Sequence, residues 1–207
     1  MDARITNHYS IDNTMNNQRK NFDKRFKLHM AVTFTPDKPE KNFIRFARGY
    51  AYAGDGYVFV RAALRHISNF EAQELEIMEG RSISAAAFQR MLEYDTVSVT
   101  ERGFEAADIF GNRIVFGFNE QLEINAPTAT MFERMTEHYL DSRDTLGVSI
   151  TWMNRAAKII GASRLRMELF KTDLIKLTDP DLDNEKDISV FVAMPYVHTR
   201  NEKGKGK

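Results

Sequence analysis

The chain has 207 residues, 43% of them hydrophobic and 28% charged, which is enough for one large domain or two small ones with a real core. It contains 29 basic and 29 acidic residues, so any binding of nucleic acid must depend on how charge is distributed. The absence of cysteine excludes disulfides and thiolate metal sites, and it suits a cytoplasmic protein.

The first predicted helix follows a polar N-terminal stretch that lacks the apolar segment of a secretory signal. Residues 1–18 are rich in Asn and are predicted to form a flexible arm. Over 19–32 the spacing of Phe22, Phe26 and Met30 predicts an amphipathic helix. Its opposite side carries a stripe of lysines, namely Lys20, Lys24 and Lys27.

Aromatic and β-branched runs separated by turn residues predict three antiparallel meanders. The first covers 43–60, the second 96–118 and the third 164–194. A predicted helix precedes each meander, and the helix before the second, over 85–94, carries Arg90 on its polar side. A repeated helix-plus-meander unit predicts an α+β fold in which the helices collect on one face of the sheet.

The second half of the chain contains two more predicted helices. One covers 130–141, has an acidic polar side and is followed by no clear meander. The other covers 150–160, with Ser149 as the candidate N-cap and Gly161 at the position of a left-handed C-terminal residue. Its apolar side is predicted to contain Ile150, Met153, Ala157 and Ile160. Two basic residues and no acid lie on its polar side, Arg155 and Lys158.

These units predict two domains joined in one chain. The first covers 19–120 with two helix-meander units, and the second covers 121–198 with one degenerate and one complete unit. The basic, Gly-rich tail 199–207 is predicted to be disordered. No apolar run approaches the roughly 20 residues that a membrane-spanning helix needs, so we expect no membrane association.

The order of these motifs resembles the DNA sliding clamps of the bacterial DNA polymerase III β-subunit type. The stretch from Gly49 to Gly56 is similar to the short turn that ends a strand in each unit of those clamps. The helix over 150–161 looks like their last helix. The run 188–195, read Ile-Ser-Val-Phe-Val-Ala-Met-Pro, looks like their closing strand. The resemblance covers residues 22–197.

This resemblance implies a processivity factor of DNA replication: a homo-oligomeric ring, dimer or trimer, that encircles duplex DNA and tethers a polymerase. Bacterial clamps have three domains per chain and this sequence has room for two at most, so ring closure stays open. The size implies a phage-encoded or reduced version, acting in the bacterial cytoplasm or in a phage-infected host cell. The resemblance also implies a polymerase-docking pocket at Met194, Pro195 and Tyr196, for which an ordinary strand end is the alternative.

Sliding on duplex DNA requires positive charge that offsets the phosphates without locking onto bases. The polar faces of the predicted helices supply six candidates for DNA binding: Lys20, Lys24, Lys27, Arg90, Arg155 and Lys158. Ordinary solvated helix faces are the alternative explanation for each of them.

Catalysis has little support in the sequence. The His residues have neither the H-x-H nor the H-E-x-x-H spacing of a metal site, and no Walker loop, nucleophile elbow or dinucleotide fingerprint is present. The acidic run 179–185 lacks the Gly and the bidentate Glu of a calcium loop. We therefore expect no catalytic residue, no metal site, no cofactor and no enzyme activity.

A protein–protein interaction module is the alternative function. Such a chain keeps the clamp-like fold without forming a ring, and acts on another replisome protein as a phage or plasmid factor. The basic residues would then be dispensable, whereas Met194 and Tyr196 would be required.

Overall fold

A computed structural model describes residues 20–33, 42–107, 110–119, 149–170, 174–182 and 188–193. Within these ranges the chain combines short helices with antiparallel strands, so the predicted mixture of helices and antiparallel sheets is observed.

The strands lie close to the runs that the sequence predicts. Their bounds are β1 Phe43–Ala47, β2 Tyr50–Gly54, β3 Val58–Ala63, β4 Ser82–Ser84, β5 Val97–Thr100, β6 Gly103–Ala107, β7 Arg113–Gly117, β8 Arg166–Phe170, β9 Leu174–Thr178 and β10 Ile188–Ala193. Consecutive strands pair antiparallel in β1–β3, β5–β7 and β8–β10. The three predicted meanders are therefore confirmed.

The first and third meanders join in one seven-stranded sheet of order β4-β1-β2-β3-β10-β9-β8. The link is the antiparallel pairing of β3 with β10, in which Val60 lies opposite Val190. The second meander forms a separate sheet of order β5-β6-β7. Strands from both sides of position 120 thus share a sheet, and the division into domains at 120 and 121 stays a prediction.

Among the described residues, the helices are short except for the one that precedes the third meander. Their bounds are α1 Leu64–Ile67, α2 Ala72–Met78, α3 Ala85–Met91 and α4 Ile150–Ile160, together with a 3-10 helix at Leu28–Ala31. Both α3 and α4 confirm predicted helices. The helix predicted over 130–141 lies outside the described residues.

One apolar core joins the seven-stranded sheet, the small sheet, α3, α4 and the 3-10 helix. Its centre is aromatic, because the Phe22 ring lies 5.0 Å from that of Phe88, 5.1 Å from Phe70 and 5.7 Å from Phe104, measured between ring centroids. These rings come from distant parts of the sequence. The core therefore ties the segment before the first meander to the second meander.

The helix predicted over 19–32 is wrong for most of its length, since only Leu28–Ala31 is helical, as a 3-10 turn. Phe22 and Phe26 are buried as their apolar character indicates. The backbone N–H of Asp23, however, donates to the Ile67 carbonyl at 2.7 Å, and that of Lys27 donates to the Ile159 carbonyl at 2.8 Å. Hydrogen bonds to other elements thus replace the bonds of a helix.

The apolar side predicted for α4, with Ile150, Met153, Ala157 and Ile160, agrees with the structure only in part, since Ile160 is buried and Met153 packs partly buried against the core. The fully buried residues are Ala156, Ile159 and Ile160, whereas the Ile150 side chain is 75% exposed. The stripe is rotated because the helix packs against both β10 and the 3-10 helix. Ile150, in the first turn, is left largely exposed.

Candidate nucleic-acid interface

The segment 20–27 is held mainly by hydrogen bonds from its backbone to other elements, together with one turn of its own in which the Phe26 N–H donates to the Asp23 carbonyl at 3.0 Å. Besides the bonds of Asp23 and Lys27, the Lys20 carbonyl accepts a hydrogen bond of 2.6 Å from the N–H of Val97. Between these anchors the buried rings of Phe22 and Phe26 face the core. The basic side chains of Lys24, Arg25 and Lys27, on either side of Phe26, are exposed.

The C-terminal end of α4 lies directly beside this segment. Gly161 ends the helix with φ 67°, the left-handed conformation predicted for it. A Cβ atom at Gly161 would lie 3.0 Å from the Arg25 carbonyl oxygen, so a side chain at this position would crowd the segment, and glycine allows the close approach. On the solvent side of the helix, Asn154 and Lys158 are exposed.

Segment and helix together border an open groove of about 660 Å³, here called the basic groove. Its walls are formed by Lys24, Arg25, Lys27, Asn154, Ala157, Lys158, Gly161 and Ala162. Three of the six cations predicted to bind DNA therefore line one surface, although they belong to elements far apart in sequence.

The cations of the basic groove differ in how far they are already neutralised. Lys27 and Lys158 form no ion pair with any residue in the described ranges. The Lys24 ammonium lies 3.2 Å from an Asp95 carboxylate oxygen, with both side chains more than half exposed. Exposed pairs of this kind contribute about 0–1 kcal/mol, so Lys24 can exchange Asp95 for a phosphate at little cost.

Arg25 makes a local pair with Asp23, at 2.7 Å between its Nη2 and the Asp23 Oδ2. Burial alone would raise the pKa of Asp23, but hydrogen bonds from the Arg25 side chain and backbone outweigh it and lower that pKa. The pKa of Arg25 is raised by the same hydrogen bond and charge. Arg25 therefore enters the groove as a partly neutralised cation.

Lys20 lies away from the basic groove and is held by the acidic helix α2. Its ammonium lies 2.7 Å from Glu74 and 3.1 Å from Glu71. The hydrogen bond to Glu74 is the main cause of the raised pKa of Lys20. The same two glutamates form the capping box that begins α2.

Arg155 points inward rather than toward solvent, with only 20% of its side chain exposed. Its Nη1 lies 2.8 Å from the Asp55 carboxylate, in the Gly54-Asp55-Gly56 turn between β2 and β3. Burial alone would raise the pKa of Asp55. Hydrogen bonds from Thr33, from the Tyr57 and Val58 N–H groups and from Arg155 outweigh burial, and the pKa of Asp55 is lowered below its usual range.

The other predicted site residues lie apart from the basic groove. Arg90 is exposed in the last turn of α3 and does not line it. Met194, Pro195 and Tyr196 lie outside the described residues. Contact of any of these residues with DNA or with a partner stays a prediction.

Sequence reasoning missed Arg25, Asn154 and Asp55. Arg25 belongs to the basic run, but the helical wheel drawn for 19–32 placed it off the lysine stripe. Asn154 is on the polar side of α4, but it carries no charge and therefore does not belong to the pattern of cations. The Gly-Asp-Gly pattern predicts only that Asp55 lies in a turn, and no local pattern indicates Arg155 as its partner.

The described residues offer no arrangement that favours a metal centre. No group of His, Asp and Glu among them could hold a metal ion. Burial lowers the pKa of His29, and the charge of Lys27 lowers it further, as is typical of a structural His. Among the described helices, none has the length and apolar character to cross a membrane.

No protein-family model and no curated protein matches the sequence. A solved structure of DNA polymerase III subunit beta from Borrelia burgdorferi, in complex with a natural product, matches the fold with a TM-score of 0.57 and 10% sequence identity. The match covers 88% of this chain and 66% of that chain, which is just under two thirds of its length. A match at such low sequence identity supports a similar fold and gives no information about function. The chain has a clamp-like fold.

Proposed function

We propose that this chain is a non-catalytic, clamp-like DNA-binding protein that grips duplex DNA without reading its sequence and tethers a polymerase. The observation that carries the proposal is the basic groove, where Lys24, Lys27 and Lys158 come together on a clamp-like fold. Ammonium groups on long side chains contact phosphates as point charges and do not fix a base sequence. Such a surface suits a protein that must hold duplex DNA and still move along it.

The proposal includes a homo-oligomer, a dimer or a trimer, in the cytoplasm of a bacterium or of a phage-infected cell. One groove neutralises few phosphates, so a single copy would bind weakly at physiological salt. Several copies around one duplex would add their contacts. Native mass measurements with and without a duplex give the number of chains per complex.

The decisive experiment reverses charge at the two groove cations that have no described ion pair. Lys27→Glu combined with Lys158→Glu should weaken binding to a duplex of arbitrary sequence about 10- to 100-fold and lower the salt dependence by about two phosphate contacts. Binding of the wild-type protein should not depend on base sequence.

The matched control makes the same change in net charge on the small sheet. Arg102→Glu combined with Arg113→Glu alters two exposed residues that lie outside the basic groove. This control should bind DNA nearly as the wild-type protein does. Equal losses in both double variants would show that only net charge matters and would reject the groove as the interface.

The interaction module without a ring is supported by a different observation. Lys20 and Arg155, both predicted to bind DNA, are held by acidic residues of the same chain. If the chain is an interaction module, the variants of the basic groove should still bind the replisome protein. Met194→Ala or Tyr196→Ala should abolish that binding. Retention on nicked circular DNA separates the two functions. A ring that encircles the duplex cannot slide off a circle, because a circle has no ends.

A further inference from the structure

Asp55 is a buried carboxylate, with 5% of its side chain exposed. It accepts a hydrogen bond from the Thr33 hydroxyl at 2.5 Å and from the N–H groups of Tyr57 and Val58 at 3.0 and 3.1 Å. The two backbone bonds fix the carboxylate on its own turn. The remaining bonds reach out of the turn to other elements.

Arg155 uses each nitrogen of its guanidinium for a different contact. Nη1 pairs with Asp55 at 2.8 Å, Nε donates to the Met30 carbonyl at 2.5 Å, and Nη2 donates to the Thr33 hydroxyl at 3.2 Å. A guanidinium is planar and rigid, so three simultaneous bonds fix the direction of the side chain. Arg155 thereby ties α4 to the β2–β3 turn and to the end of the 3-10 helix.

The two walls of the basic groove belong to the elements that this pair joins. Lys27 lies at the start of the 3-10 helix, and its N–H donates to the Ile159 carbonyl of α4 at 2.8 Å. Lys158 lies one residue before Ile159. The distance between the two exposed ammonium groups therefore depends on how α4 is seated against the 3-10 helix.

We propose that Asp55 and Arg155 are positioning residues, whose buried ion pair seats α4 against the 3-10 helix so that Lys27 and Lys158 face the same phosphate backbone. The inference rests on the proposed function. Charge counting gives the opposite expectation, because removing the Asp55 carboxylate raises the net charge and releases a guanidinium. The sign of the effect on DNA affinity therefore separates positioning from simple attraction.

The test substitutes Asp55→Asn and measures affinity for a duplex by titration at several salt concentrations, at a temperature where the variant is folded. We expect about a tenfold loss of affinity and a salt slope reduced by about one phosphate contact. Arg155→Lys keeps the positive charge but loses the planar guanidinium that makes the three contacts. It should therefore behave like Asp55→Asn. Unchanged or increased affinity in Asp55→Asn would overturn the inference.

Glu168→Gln is the matched control, because it removes the carboxylate that pairs with Lys176 at 3.2 Å between β8 and β9. That pair is also largely shielded from solvent and lies outside the basic groove. The control should lose some stability and keep the affinity and the salt slope. A merely structural role for Asp55 would give the same pattern as this control, and the inference would then be wrong.

A second measurement requires no DNA. Hydrogen exchange of the Lys27 amide, followed by NMR, reports the bond to Ile159 directly, and it should accelerate in Asp55→Asn. The Phe46 amide, which donates to the Arg81 carbonyl at 2.9 Å, is the reference for any loss of global stability, and the Lys27 amide should accelerate by a larger factor than it does. Unchanged exchange at Lys27 overturns the positioning role, whereas wild-type protein that shows no salt-dependent DNA binding overturns the proposed function.

Discussion

Asp55 carries a pH dependence whose sign follows from its hydrogen bonds. Its pKa is lowered in the folded protein, so the stability it contributes is present above the unfolded pKa of about 3.9 and is lost as the pH falls through the folded value. The carboxylate is protonated at lower pH than in the unfolded chain, and its bonds to Arg155 and Thr33 weaken there.

Asp55→Asn should therefore destabilise the protein at neutral pH and change its acid sensitivity. Removing one partner of a buried pair lowers the free energy of unfolding by about 3 kcal/mol. We therefore expect a lower melting temperature at pH 7. Between pH 5 and pH 2 the wild-type protein should lose more stability than the variant does. Thermal melts over this range provide the measurement, and parallel curves for the two proteins would contradict the assignment.

At the scale of elements, the close approach of α4 to the segment 20–27 depends in part on a glycine at position 161. Both Gly161 and Gly80 have positive φ, at 67° and 76°. An added Cβ would meet the Arg25 carbonyl oxygen at 3.0 Å in the first case and nothing within 4 Å in the second. The two positions thus share the backbone strain and differ in the contact.

Gly80→Ala should cost about 1 kcal/mol, the price of a left-handed alanine. Gly161→Ala should cost about 1 kcal/mol more, because the segment has to move away from the helix end. Denaturant melts of both variants measure the difference. Gly161→Ala should also weaken DNA binding, since Arg25 lies on the groove wall, while equal stabilities of the two variants would show that the junction tolerates the shift.

Local patterns account for the elements that the sequence predicts correctly. The helix α4, with Gly161 at its end, and the strands of all three meanders follow from spacing and turn residues. The segment 20–27 could not be predicted this way, because Phe22 and Phe26 have helical spacing while their neighbours bond to Ile67 and Ile159. Tertiary contacts override the helical pattern there.

The candidate site was predictable in its charges and only partly in their arrangement. Lys24, Lys27 and Lys158 were identified from polar faces, and they do line one groove. The inward direction of Arg155 had no local signal, since its partner Asp55 lies in another meander. A charged residue on the polar face of a predicted helix can either face solvent or pair with a buried residue of the same chain. The sequence alone does not distinguish these two cases.

At the scale of the whole molecule, the pairing of β3 with β10 makes the first and third meanders interdependent. The core joins Phe22 near one end of the described chain to Val192 near the other. Cooperative unfolding is expected when distant segments share one core and one sheet. This arrangement bears on the predicted division into 19–120 and 121–198.

We expect the full chain to unfold in one transition and the fragment 19–120 to lack a stable fold. The fragment loses β10 beside β3 and loses Ile159 and Ile160 from the core. Far-ultraviolet circular dichroism during heating, with the full chain as reference, tests the expectation. A cooperative melt of the fragment would instead support two domains that fold independently.

The hydrogen bond from Arg155 to the Met30 carbonyl spans 125 positions of sequence and has a consequence for synthesis. During translation Lys24 and Lys27 leave the ribosome well before the wall that carries Lys158. A nascent chain therefore displays isolated lysines and no groove. On the proposed function, DNA binding requires α4 to have been synthesised, so products of translation that stop before α4 would not occupy DNA in place of the finished protein.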